Sequence, residues 1–66
     1  MSYSILRLPE VSSRTGLSRS AIYEKMKKHQ FPQSISLGDR AIGFVSAEID
    51  DWIESRINES RQQAAA

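Results

Sequence analysis

The sequence predicts a mainly α domain with a small β-hairpin, in the order α-α-β-β-α: a helix-turn-helix followed by a wing. Three observations carry this. A glycine and a serine stand two residues apart at Gly16 and Ser18, as a helix stop and a helix cap. Short apolar alternations flank Gly38-Asp39-Arg40. A run opening at Ser46 carries Ile49, Trp52, Ile53 and Ile57 at helical spacing. With 66 residues the chain makes one domain, expected over 1–60, with 61–66 as a disordered tail.

The first helix opens at Leu8-Pro9-Glu10, where proline suits the first helical position and glutamate the positive helix end. It ends near Thr15, with Gly16 as a left-handed stop in a Schellman-type end. Leu17 is then placed to pack back on Val11 and forward on Ile22, while Ser18 caps the second helix through the N–H of Ser20 or Ala21. That helix is expected over Arg19–Lys28, with Ile22 and Met26 inward and Ser20, Glu24 and Lys27 outward. Phe31 is placed to plug the core, and Pro32 forbids more helix. In the hairpin, Ile35 and Leu37 alternate with serines, and Ile42 and Phe44 with small residues, which predicts one buried face. Arg40 falls at or near the tip. Ser46 is the expected cap of the third helix, and Trp52 its largest core contribution.

Composition narrows the chemistry. Cysteine is absent, which excludes disulfides and thiolate metal sites. No apolar run approaches the roughly 20 residues that span a bilayer, and the N-terminus lacks a signal-peptide core, so a soluble cytoplasmic protein is expected, with no membrane partner. An enzyme is not expected, and neither is a cofactor. The one histidine, His29, is read as packing at the core edge or meeting the negative end of the second helix. The acids Glu48, Asp50, Asp51 and Glu54 suit a solvated helix N-terminus, and no base is placed to activate a serine of "SSRTGLSRS".

The charge distribution fits either a basic face presented to a polyanion or two ordinary solvated helices of opposite sign. Residues 1–40 carry seven basic and three acidic side chains, a net of +4, whereas residues 41–66 carry two basic and five acidic, a net of −3. In a helix-turn-helix the second helix enters the major groove of duplex DNA with its first residues at the base edges. Ser18, Arg19 and Ser20 open that helix here, and Arg19 suits a bidentate contact to guanine. Tyr23, Lys27 and Lys28 suit phosphates, Arg14 ends the preceding helix, and Arg40 would grip backbone or minor groove from the wing. Glu24 must accept from a cytosine amino group or be repelled by phosphate. Several of these have plainer readings. Ser18 is explained as a cap, Tyr23 as cover for the core flank, and Arg14 and Lys28 as complements to helix C-termini. Arg19, Lys27 and Arg40 have the weakest structural explanation.

The motifs "RLPEV", "TGLSRSAIY", "FP", "LGDRAIGF" and "EIDDWI", in that order over about residues 6–54, resemble the AlpA family of small phage- and prophage-associated DNA-binding regulators. That family is similar to the MerR-like winged helix-turn-helix proteins, which include phage excisionases. The resemblance implies a transcriptional regulator of a mobile element, nucleoid-associated when bound, that reads DNA through the helix opening at Ser18-Arg19-Ser20 and a wing around Gly38-Asp39-Arg40. Two departures stand out: Phe44 where tryptophan is usual, and Ala21 and Glu24 where polar or basic residues are common.

Two further readings compete. One is an excisionase-like architectural factor that bends DNA in site-specific recombination; the other is a protein-interaction module docking by its acidic third helix. So small a chain makes few phosphate contacts, so a homodimer or cooperative assembly on DNA is expected, with RNA polymerase or a recombinase as candidate protein partners.

Overall fold

Leu6 and Phe44 pair across two strands and both are buried, and the rest of the molecule is arranged around that pair. The computed structural model describes residues 3–65, and the side chains of residues 3–62. Its elements are β1 (Ile5–Leu6), α1 (Leu8–Thr15), α2 (Arg19–Lys27), β2 (Ile35–Gly38), β3 (Ala41–Val45) and α3 (Ser46–Ala65). The expected helices and hairpin are present, in a small mostly helical winged-helix-like arrangement. A short strand precedes them: β1 pairs antiparallel with β3, giving a three-stranded sheet in the order β1-β3-β2. Two residues are too few to express a strand period, so only tertiary pairing reveals this strand.

The core consists of Leu6, Leu8, Val11, Ile22, Phe31, Phe44 and Ile49, with Leu17, Met26, Trp52 and Ile53 packed against it. Phe44, not Trp52, is the largest fully buried side chain. Trp52 lies half-buried at the rim, its ring 4.8 Å from that of Phe31, which in turn meets Phe44 edge-on at 5.9 Å. The indole N–H donates to the carbonyl of Gln30 at 3.0 Å, so the polar edge of the ring is satisfied.

The sheet overturns one expectation. Ile35 and Leu37 do not join Phe44 in the core; they are 38% and 42% exposed. The register explains why. Ile35 stands opposite Gly43, whereas Ser36 stands opposite Ile42, and cross-strand partners share a face. Ser36, Ile42, Phe44 and Leu6 therefore line one face, and Ile5, Ile35, Leu37, Gly43 and Val45 the other. A Cβ on Gly43 would run into the Ile5 side chain and lie 3.0 Å from Leu37 Cδ1, so a larger residue here makes these two part-exposed side chains shift.

The third helix also differs at both ends. Ser46, expected as a cap, is itself the first residue of α3, because β3 runs into the helix without a loop; its N–H donates to the Ser4 carbonyl at 2.8 Å. At the other end α3 continues to Ala65, where the sequence suggests fraying from Ser60 and a disordered tail over 61–66. Gln62, Gln63, Ala64 and Ala65 are good helix formers and need no apolar stripe to extend the helix. Ala66 lies outside the described residues.

Gly43→Ala is expected to lower unfolding free energy by about 1 kcal/mol, the low end of over-packing costs, because the Ile5 and Leu37 side chains it displaces are part-exposed. Urea denaturation followed by circular dichroism measures it.

Candidate nucleic-acid interface

The site is built on the corner between α1 and α2. Gly16 adopts φ 76°, and its N–H donates to the Ser12 carbonyl at 2.9 Å. This is the simpler left-handed closure and not the Schellman form expected, because the next N–H goes elsewhere: Leu17 N–H donates to the Thr15 hydroxyl at 3.3 Å. The Thr15 hydroxyl in turn donates to the Val11 carbonyl at 2.8 Å, and the Ser12 hydroxyl donates to the Leu17 carbonyl. Both backbone groups of Leu17 are thus held by α1 while its side chain packs on the core. Ser18 then caps α2, its hydroxyl accepting from Ala21 N–H at 3.2 Å.

The far end of α2 is closed as firmly. His29 has φ 58°; its N–H donates to the Met26 carbonyl at 3.1 Å and that of Gln30 to the Lys25 carbonyl at 2.8 Å. That pair of bonds is the Schellman closure, with histidine in the position glycine usually takes. His29 is exposed, so it meets the helix end through its backbone and does not pack at the core edge. Gln33 donates to the Met26 carbonyl at 3.2 Å, and α2 gives way to Phe31 and the Trp52 bond. Lys28, expected inside α2, is its C-cap.

Between these closures Ile22 is fully buried, and Arg19, Ser20, Tyr23, Glu24 and Lys27 are exposed. The hairpin tip holds Gly38 at φ 125° and Arg40 at φ 58°, with Arg40 exposed. Ion pairing sorts the predicted residues into two groups. Arg14 reaches Glu10 at 3.9 Å and Asp50 at 3.7 Å, which ties α1 to α3. Lys28 pairs with Glu24 at 3.2 Å on the exposed side of α2, so the awkward acid has a partner on its own helix. Arg19, Lys27 and Arg40 make no ion pair among the described residues. The outer surface of α2 and the wing tip therefore keep three cations for an external anion.

Sequence reasoning missed the hydroxyl clamp of Ser12 and Thr15 on Leu17. A signal was present, since serine and threonine in the last turn of a helix bond readily to nearby backbone. Among the described residues no helix is long and apolar enough to cross a membrane.

Comparison with known proteins identifies the family. The family described as "Prophage CP4-57 regulatory protein (AlpA)" matches residues 4–57. The DNA-binding transcriptional activator AlpA of Escherichia coli (strain K12) is 38% identical over 58 residues, covering 79% of this chain and 83% of that protein. The uncharacterized protein ORF88 of Enterobacteria phage P4 is 44% identical over 52 residues, covering 79% of this chain. The aligned part spans 59% of the length of that phage protein. No solved structure matches the chain. With the family match covering most of the folded residues, the chain belongs to the AlpA family of prophage regulatory proteins.

Proposed function

We propose that the chain is a sequence-specific double-stranded DNA-binding transcriptional regulator of a phage or an integrated mobile element. In this reading the N-terminal turn of α2 enters the major groove. Ser18 and Ser20 lie at phosphates or base edges, Arg19 addresses guanine, and Tyr23 and Lys27 follow the backbone. The wing lays Arg40 on the backbone or the neighbouring minor groove. Arg14 and the Glu24–Lys28 pair serve mainly to hold the helices, given their ion pairs. The name of the Escherichia coli relative, a DNA-binding transcriptional activator, supports the same class.

The observation that carries this reading is Arg40. A residue with a Cβ disfavours positive φ by roughly 1 kcal/mol or more, and glycine would remove that cost. An unpaired arginine held at φ 58° on a hairpin tip contributes nothing evident to the fold. An exposed cation on a hairpin tip has a use outside the fold: in this reading it is one more cation on the duplex that Arg19 addresses.

Arg40→Gly is expected to keep or raise the melting temperature and yet weaken binding to all DNA sequences alike. Lys27→Ala should do the same to binding, and each should flatten the log–log salt dependence by roughly one unit, measured by fluorescence anisotropy across a salt series. Replacing Glu24 and Lys28 together with alanine removes a neutral pair and should leave that slope unchanged. Arg19→Ala behaves differently: it should relax preference at one base pair by about 1–3 kcal/mol, read by selection from randomised duplexes. Equal salt slopes for the wild type, Lys27→Ala and Arg40→Gly would refute the proposed interface.

A further inference from the structure

We infer that the outer face of the sheet is a docking surface for a second copy of this chain, which meets it head-to-tail through the groove beneath α3. The inference rests on the DNA-binding reading for the setting in which copies meet, and it goes beyond that reading in naming both halves of the contact.

The first half is the apolar face that the sequence pattern assigned to the core. Ile5, Ile35 and Leu37 are each about two-fifths exposed there, beside Val45. Its rim is acidic. Glu48 and Asp51 of α3 border Ile35, Val45 and Pro32 around an open depression of about 500 Å³. Neither acid makes an ion pair among the described residues.

The second half lies on the same chain. A groove of about 400 Å³ between the end of α1 and α3 is floored by Trp52, Ile53 and Ile57, and Ile57 is 43% exposed. Its rim is basic, with Arg56 and Arg61 on α3. Arg56 touches Glu59 at 3.0 Å, but an exposed pair of this kind is worth well under about 1 kcal/mol and exchanges readily for another carboxylate. The helical repeat puts Glu48 and Asp51 on the side of α3 opposite Ile53 and Ile57, so one copy can offer both halves to different neighbours.

Charge decides the arrangement. Two sheet faces laid together about a two-fold axis would bring two acidic rims into one interface, and the lining of this depression holds no base to answer them. A sheet face laid on the groove sets acid rim against arginine rim, with apolar floor against apolar floor. The contact is therefore heterologous. Area decides its strength. Three or four part-exposed aliphatic side chains amount to a few hundred Å² at most, against the roughly 800 Å² per partner of a stable complex. Such a contact holds free copies together only at about millimolar concentration, and acts chiefly between copies already gathered on one duplex.

The test uses the full chain and duplexes carrying one or two copies of a site selected from randomised DNA, with the spacing between copies varied over one helical turn. Binding per site is expected to be at least roughly five-fold tighter on the best-spaced two-site duplex than on the one-site duplex, the lower end of ordinary coupling between sites. Two exposed charge reversals probe the rims: Glu48→Arg with Asp51→Arg, and Arg56→Glu with Arg61→Glu. Each variant alone should lose the two-site advantage, because it sets like charges together. An equimolar mixture of the two should regain it, because every contact between unlike copies again pairs acid with base. Referring each protein to its own one-site affinity removes the effect of changed net charge. No advantage in the wild type, an advantage that persists in either variant alone, or a mixture that stays non-cooperative would each overturn the inference. Sedimentation of the same mixtures at millimolar concentration, without DNA, provides an independent reading. Association in the mixture and not in its components supports the contact, and its absence there counts against it even if the chain fails to bind DNA at all.

Discussion

The second helix cannot aim itself. It has nine residues, about 13 Å of helix, and Ile22 is its only fully buried side chain. A peptide of that length is barely helical in water. Its direction is therefore set at its ends. At the first, Leu17 is gripped by the Ser12 and Thr15 hydroxyls and by the core, and Ser18 closes the first turn. At the second, the bonds from His29 and Gln30 close the last turn, and the Phe31–Trp52 contact anchors the chain just beyond it. Because both clamps lie outside the helix, its outer face carries no structural duty. Arg19, Ser20, Tyr23 and Lys27 are left to solvent, which is the condition for reading a groove.

What could be read from the sequence depends on the range of the forces involved. Gly16, Ser18 and Pro9 act through their own backbone or a neighbour three residues away, so the corner and both helix starts were legible from spacing alone. Phe31 was legible too, since a large apolar residue next to a proline has few places to go but inward. The two failures that changed the sheet involve partners distant in the chain, whereas the closure at Gly16 was altered locally by the Thr15 hydroxyl. The strand at Ile5–Leu6 exists only because β3 is there to pair with it. Alternation in β2 marks two faces but does not say which one is buried; the register against Gly43 and Ile42 decides that, and it turns Ile35 and Leu37 outward. The Schellman closure fell at His29 because the chain must turn there toward Phe31, whatever residue occupies the bend.

For the candidate site, the sequence supplies the residues but not their pairing. Counting Lys and Arg gives seven cations over residues 1–40, and nothing in that count separates them. Geometry does. Arg14 is drawn toward Asp50, thirty-six positions away, and Lys28 toward Glu24, one turn away. The second pairing follows from a spacing visible in the sequence, glutamate four residues before lysine on a helix. The first depends on α3 crossing the end of α1 and could not be foreseen. Of the seven, Arg14 and Lys28 have partners on the chain, and among the other five Arg19, Lys27 and Arg40 are exposed members of the predicted site.

His29 and Arg40 are the two described residues other than glycine held at positive φ, both at 58°, and the contrast between them separates structure from use. At His29 the cost is offset locally: two helix-end carbonyls gain donors, and Gln33 adds a third bond to the same turn. Any residue that tolerates the bend would gain as much, so the imidazole explains nothing. At Arg40 the tip is closed by the Gly38–Ala41 pairing, which needs no side chain between its partners. Glycine would make that turn at lower cost, and the neighbouring Gly38 already does its part at φ 125°. What an arginine adds there is reach and charge, both directed away from the fold. The fold thus gives no reason for an arginine at the wing tip, and the proposed contact with a nucleic-acid backbone would supply one.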